Sequence, residues 1–513
     1  MLFEYKIDGQ SLNLKKLIEL VQSDKVQFFI TPDAIQNIKD SRLYIENKIA
    51  AGETMYGVNT GFGVFSNVRI SDKQIEELQV NLIRSHSVGV GEILPLDVTK
   101  AILILRANTL ARGQSGIRVE VVQKILEFLN HQIYPVIPSQ GSLGASGDLA
   151  PLAHLALSLI GEGEVVYQGL RQPTAPVLKK LKIEPLILKA KEGLSLINGC
   201  QVMNAIGLLG LKRSQNLLKY ADLAAAMTLE ATRGTRKAYS QILASTRPHP
   251  GENRTIKNLN KILGETSEIA ESHLGCHKVQ DAYSLRCVPA VHGAIKDVIE
   301  RSIVTCEIEA NSSTDNPLVL AREDEVLSCG NFHGEPVALA MDFCSIAMAN
   351  LGNISERRLA KLIDPPFSEL PAFLTSHGGL QSGYMIVQYT AASLVSENKI
   401  HAHPASIDSI PTSLGKEDHV SMGTIAARKF IKIIENVENI IAMELLAAAQ
   451  GLDLLKPLVP TAGVLKAHQV IRKHISFAND DRVFSYDIQK MRSLMSSGEL
   501  LHEVEAEVDE LLV

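Results

Sequence analysis

Apolar residues step by three and four along Phe430, Ile433, Ile434, Val437, Ile441, Leu445 and Ala448, with no proline among them. That is the period of an α-helix with one apolar stripe, and its length predicts a single long amphipathic helix. Similar runs over 205–232, 291–310 and 337–362 predict three more. Helices of this length pack side by side as a bundle, and their wide stripes predict that subunits share it. Before residue 200 the texture differs, because short helical patterns are interrupted by glycine and proline at 57–63, 113–116 and 135–151. A hairpin is expected around Val165-Val166-Tyr167-Gln168-Gly169-Leu170. The pattern predicts a mainly α chain: residues 1–200 a loop-rich domain where chemistry clusters, residues 201–513 a long-helix bundle with a C-terminal helical region.

Composition narrows the class. A chain of 513 residues, 45% hydrophobic and 21% charged, buries a large core. Its net charge of −6 carries no basic field that would gather nucleic acid or anionic lipid. The start, Met1-Leu2-Phe3-Glu4-Tyr5-Lys6, does not read as a leader, and no uncharged apolar run approaches the roughly 20 residues that span a bilayer, so a cytoplasmic protein without membrane contact is expected. Six cysteines form no CxxC pair and read as thiols. His401-Ala402-His403 and Glu417-Asp418-His419 are ligand-type residues, but without an HExxH helix or regular Cys/His spacing no metal is expected. Gly61-Phe62-Gly63 and Gly89-Val90-Gly91 lack a strand–GxGxxG–helix context and read as turns.

The run Gly141-Ser142-Leu143-Gly144-Ala145-Ser146-Gly147-Asp148-Leu149-Ala150-Pro151 has the composition of a peptide able to react with itself. The unhindered Gly147 nitrogen could reach the Ala145 carbonyl and close a five-membered ring, and loss of water there and from Ser146 would leave a conjugated exocyclic methylene. No ordinary side chain supplies such an electrophile. Alone, Ala-Ser-Gly reads as a surface turn. A serine hydrolase would require Gly-x-Ser-x-Gly, and here Ser146 is followed directly by Gly147 and Asp148.

With its flanks, the segment 141–154 resembles the signature of the aromatic amino-acid ammonia-lyase family. Further blocks resemble that family in the same order: Tyr56-Gly57-Val58-Asn59-Thr60-Gly61-Phe62-Gly63, Asn198-Gly199, Gln280-Asp281-Ala282-Tyr283-Ser284-Leu285-Arg286-Cys287, Gly330-Asn331-Phe332-His333 and Glu417-Asp418-His419-Val420-Ser421-Met422-Gly423. The resemblance implies a 4-methylideneimidazole-5-one (MIO) group formed autocatalytically from Ala145, Ser146 and Gly147, with Asp148 assisting ring formation and no dissociable cofactor. It implies Tyr56 as the base for the β-proton, Tyr283 as the second site tyrosine, and Arg286 as the cation for the substrate carboxylate. Asn198 and Gln280 fall near the group and substrate, Phe332 packs against the group or the bound ring, and Asn204 and Asn316 are structural. Eliminating ammonia needs this help, because the β-hydrogen is scarcely acidic and the amine leaves poorly. Either the substrate amine or its ring could meet the electrophile, and amine addition is the favoured alternative.

Ser85-His86 resembles the histidine-acting branch of the family, where phenylalanine- and tyrosine-acting members typically carry Phe-Leu or His-Leu. That implies L-histidine as substrate, with His86 and Glu417 facing its imidazole. A tyrosine or phenylalanine lyase or aminomutase is the alternative, and a scaffold without activity a further one. The family's homotetramer, with active sites built from three subunits, is expected here. Three positions depart from the branch: Cys200 where Thr is usual, Ala282 where Pro is common, and Lys416 where Gln is usual. Lys416 bears on substrate preference, since a cation beside Glu417 could alter its ionisation.

Overall fold

The computed structural model describes residues 3–55, 57–61, 70, 74–276 and 278–513. The chain is mainly α, and its residues gather into two compact units, each assembled from three stretches.

The first unit comprises residues up to 209 together with 302–342 and 404–428. Phe3–Ile7 and Val26–Ile30 pair in parallel, joined through the helix Leu14–Gln22, whose first turn is capped by the Asn13 side chain accepting from the Lys16 N–H at 2.9 Å. Helix Leu96–Ala111 is buried on every side from Thr99 onward, which is why its sequence is apolar all round rather than striped. Glu164–Tyr167 and Leu170–Pro173 form the expected hairpin, with Tyr134–Pro135 as a third strand. This part of the chain holds more helix than its glycines and prolines imply. They punctuate the spaces between helices such as Ile75–His86, Val119–Asn130 and Leu149–Leu159 instead of breaking them.

The second unit comprises 210–301, 343–403 and 429–513. Most of Gln201–Ala231, Val288–Ala310, Glu335–Leu362 and Gly423–Leu454 lies in it; the first three match the expected helices to within four residues at each end, and the fourth runs several residues beyond the 430–448 stripe on both sides. Phe430, Ile433, Ile434, Val437, Ile441, Leu445 and Ala448 are all fully buried; the stripe is the core-facing side over the first half, and from Ile440 to Leu452 the helix is buried on every side. Glu335–Leu362 is long and apolar enough to cross a membrane by length and composition, and 61% of its apolar window is buried within the protein.

Polar groups inside the second unit fix which residues of the helices face one another. Glu444 accepts from Arg358 at 2.5 and 2.8 Å, from Thr228 at 2.9 Å and from Ser355 at 2.6 Å. Asp222 accepts from Lys296, His292 Nδ1 and Asn258, each at 2.8 Å, and Arg358 meets His292 Nε2 at 3.3 Å. Burial alone would raise the Asp222 carboxyl, but Lys296 and His292 bring it below its usual range. Such a network is costly to desolvate and tolerable only when its members are paired, so it favours one register over slipped ones.

Candidate active site

Ala145 and Ser146 sit at the tip of a tight turn closed by a bridge between Gly144 and Gly147. Gly147 lies at φ +74°, and a Cβ there would fall 2.3 Å from the Gly199 carbonyl oxygen. Gly199 is equally confined, since a Cβ on it would come within 2.7 Å of Gln201 Oε1, Thr314 Oγ1 and Arg106 Nη1. Only glycine fits at either position. The turn is therefore cradled with backbone against backbone, and the Gly147 nitrogen carries no bulk beside it.

Asp148 anchors the turn. Its Oδ1 accepts from Ser142 at 2.9 Å and from Thr424, and its Oδ2 accepts from the N–H groups of Val202 and Met203 at 3.0 and 2.9 Å. Those N–H groups belong to the buried first turn of Gln201–Ala231, beyond reach of the helix's own carbonyls, so a carboxylate more than fifty residues away caps that helix. Burial raises the Asp148 carboxyl, against the pull of the four donors.

Asn198 is held by a buried ion pair. Lys191 and Asp315 meet at 2.7 Å, both fully buried, and Asn198 Nδ2 donates to Asp315 Oδ1 at 3.4 Å and to the Asn316 carbonyl at 3.1 Å. Arg106, also fully buried, donates to the Asn198 carbonyl at 3.0 Å; burial lowers its guanidinium to about 10. Asn198 Oδ1 is left buried with no hydrogen-bond partner among the described residues, an acceptor available to a ligand. Asn316 Oδ1 accepts from the Cys329 N–H at 2.8 Å, and Asn204 Nδ2 donates to the Cys306 carbonyl at 3.0 Å, both as structural ties.

Cys200 donates to the Phe332 carbonyl at 3.0 Å, so the thiol fills a donor role that a Thr hydroxyl could equally fill. Burial pushes that thiol well above its usual range, with Glu309 and Asp148 adding to the effect. Glu309 is itself raised to about 7, by burial first and by Asp148 as well.

From the third stretch of the first unit comes Glu417. Its Oε1 accepts from Ser146 Oγ at 2.8 Å and its Oε2 from Thr412 Oγ1 at 2.9 Å. Met422, in the left-handed region at φ +54°, donates its N–H to the Leu143 carbonyl at 2.9 Å, and Ser421 Oγ donates to the Gly144 carbonyl at 3.2 Å. Ala145 packs with Val420 and Met422. Lys416 is exposed, and neither Glu417 oxygen turns to it.

His86 closes the helix Ile75–His86, with Nδ1–H donating to the Leu82 carbonyl at 2.8 Å. Burial lowers its imidazole below the usual range, while the Leu82 carbonyl and the Glu417 charge work the other way. It is neutral near pH 7, with Nε2 as an acceptor. The first unit thus brings Ala145, Ser146, Gly147, Asp148, Asn198, Phe332, Glu417 and His86 into connected surroundings. Tyr56 lies outside the described residues.

Gln280, Tyr283 and Arg286 belong to the second unit. Gln280 is exposed, Tyr283 is 71% exposed, and the Arg286 guanidinium lies 4.4 Å from the centroid of the Tyr283 ring. Arg286 Nε donates to the Asp281 carbonyl at 3.1 Å, leaving its terminal nitrogens without a protein partner among the described residues. That is the geometry of a fork held by one edge and open to a carboxylate.

One grouping was not anticipated from the sequence. His333, Glu335 and His419 bring donor atoms within 4.8 Å of one another, the two imidazoles stacking at 5.6 Å between centroids. Eighty-four residues separate Glu335 from His419, so no spacing rule could have joined them.

A family model described as aromatic amino acid lyase matches residues 12–473. The chain belongs to the aromatic amino acid lyase family. Among members of this family, a histidine ammonia-lyase of Alkaliphilus oremlandii is 48% identical over 504 residues, covering 98% of this chain and 99% of that one. A histidine ammonia-lyase of Gloeobacter violaceus is 50% identical over 501 residues, covering 98% and 97%. The crystal structure of histidine ammonia-lyase from Trypanosoma cruzi matches with a TM-score of 0.92 at 43% identity, over 99% of this chain and 96% of that one. The family fold also serves other chemistry: tyrosine aminomutase from Streptomyces globisporus matches with a TM-score of 0.94 at 34% identity, over 99% and 100%.

Proposed function

We propose that this lyase is a histidine ammonia-lyase, eliminating ammonia from L-histidine without oxidation to give trans-urocanate, the first step of histidine degradation. The observation that carries the reading is the Glu417 carboxylate 2.8 Å from Ser146 Oγ, with His86 inside its field. A carboxylate on the reacting residue, with an imidazole within reach of its charge, suits a substrate with its own imidazole.

The group is a 4-methylideneimidazole-5-one formed from Ala145-Ser146-Gly147, and the bare Gly147 nitrogen, the backbone cradle and the unpartnered Asn198 Oδ1 are compatible with it. When formed, it supplies an electrophile that makes the substrate amine a better leaving group. The chain's own residues do the rest. Arg286 binds the substrate carboxylate through its free fork, which a lysine could not match with two parallel bonds. Tyr56 takes the β-proton, a general-base role worth roughly 10²–10⁴-fold. Tyr283, beneath the Arg286 cation, assists, and Gln280 and Asn198 orient the amino acid. His86 Nε2 and Glu417 offer two acceptors, one to the N–H of a neutral substrate imidazole and both to an imidazolium, while Phe332 bounds the ring. A phenyl ring would leave both acceptors unpaired, which is how such a site discriminates.

Gln280, Tyr283 and Arg286 reach this site from neighbouring copies in a cytoplasmic homotetramer with shared active sites, a reading supported by the exposure of Tyr283. The test is purified protein offered L-histidine, L-tyrosine and L-phenylalanine in parallel. Urocanate absorbance should develop with L-histidine at a kcat/KM at least about 10²-fold above the other two. Turnover of L-tyrosine or L-phenylalanine with L-histidine untouched would overturn the assignment.

A further inference from the structure

We propose that Glu417 acts twice, first as the acid that expels the Ser146 hydroxyl while the prosthetic group forms and only afterwards as a partner of the substrate imidazole. The inference rests on the reading above and deepens it.

The hydroxyl that has to leave is not free in this structure. Ser146 Oγ donates to Glu417 Oε1 at 2.8 Å, across 271 residues of sequence. The carboxylate is aimed by its own loop: Thr412 Oγ1 holds Oε2 at 2.9 Å, and the backbones of Thr412 and Glu417 exchange two hydrogen bonds of 2.9 and 3.3 Å. The same segment is clipped to the tripeptide turn through Met422 N–H to the Leu143 carbonyl and Ser421 Oγ to the Gly144 carbonyl. Two successive ties therefore place the acid against the leaving atom. Asp148, the other carboxylate at the turn, has both oxygens filled by Ser142, Thr424 and the N–H groups of Val202 and Met203, and its work is to hold the turn.

The steps balance without oxidant or reductant. In ring closure the Gly147 nitrogen bonds to the Ala145 carbonyl carbon, and the carbonyl oxygen departs as water with the hydrogens of the Gly147 and Ser146 N–H groups. In the second dehydration the Ser146 Cα proton, acidified by the ring carbonyl, passes to a solvent water. The electron pair it leaves forms the Cα–Cβ double bond, and the Cβ–Oγ bond breaks. That proton, relayed from solvent to Glu417 Oε1, reverses the sense of the carboxyl's hydrogen bond and passes on to Oγ, so that water leaves instead of hydroxide. Glu417 is left as the carboxylate it was at the start. Once Oγ has gone, Glu417 Oε1 has lost its donor, and an imidazole N–H can take the vacated position.

The experiment is a time course of intact and peptide mass for wild type, Glu417→Gln, Glu417→Asp and Thr412→Val, with circular dichroism on each. Wild type is expected to lose two waters. Glu417→Gln accepts the hydroxyl's hydrogen bond but has no proton to give, so a species lighter by one water should accumulate, with the second loss slowed by about 10²-fold. Glu417→Asp should restore part of the rate, and Thr412→Val, which frees the carboxylate to swing, should slow the second loss several-fold while remaining folded. Full loss of both waters from Glu417→Gln at the wild-type rate overturns the proposal. So does Thr412→Val maturing at that rate where Glu417→Gln fails to fold, or a Glu417→Gln that stalls before the first water, since the residue would then only shape the turn. Wild type that loses no water at all removes the MIO reading itself, an outcome separable from these.

Discussion

A methyl group at residue 147 is the smallest change expected to stop maturation. Gly147→Ala would require a left-handed φ that costs an L-residue roughly 1–2 kcal/mol, and its Cβ would meet the Gly199 carbonyl at 2.3 Å. The variant should unfold at lower denaturant by about 2 kcal/mol or more and keep the mass of the unmodified chain. A folded Gly147→Ala lighter by two waters would contradict the account. At this scale the sequence was informative where a reaction needs particular residue types in a row, as in Ala145-Ser146-Gly147, or where a block resembles a family. It was silent where function depends on residues meeting from afar. Nothing about Ser146 names Glu417 as its hydrogen-bond partner, and nothing about His333 names Glu335 and His419, because those meetings are made by folding and not by spacing.

At the scale of elements, the long helices were legible because a period of three and four survives over about five turns or more, whereas the short strands Phe3–Ile7, Val26–Ile30 and Leu318–Leu320 are too brief to carry a pattern. What period cannot reveal is the polar stitching that sets how helices meet. Asn258 shows the point: its Nδ2 donates to Asp222 Oδ2 at 2.8 Å and to the Leu512 carbonyl at 2.7 Å, and its Oδ1 accepts from the Leu512 N–H at 2.8 Å. Lys296 reaches the same carbonyl at 3.1 Å, so the last residues are tied to the buried charges. Asn258→Ala leaves these partners short of hydrogen bonds and should cost about 1–3 kcal/mol, seen as a lower thermal midpoint. An unchanged midpoint would show that the tie is ornamental.

For the whole molecule, the chain returns to its first unit twice, at 302–342 and 404–428, and both returns bring chemistry: Phe332 in one, Glu417 in the other. A cut near residue 200 marks where helices lengthen along the sequence, whereas the compact units follow contacts that no linear reading contains. The proposed tetramer gives the exposed apolar side chains of Glu335–Leu362, among them Leu339, Phe343 and Ile346, a surface to meet. Its purpose would be to deliver Tyr283 and Arg286 to a site that the first unit alone does not complete. The claim on which all three scales depend is that Ser146 is the source of the electrophile acting on L-histidine. Its most direct measurement is urocanate formation from L-histidine by wild type and Ser146→Ala at equal concentration and equal fold content. The account predicts steady absorbance growth from wild type and a rate at least about 10³-fold lower from the variant. Comparable rates from the two would contradict it.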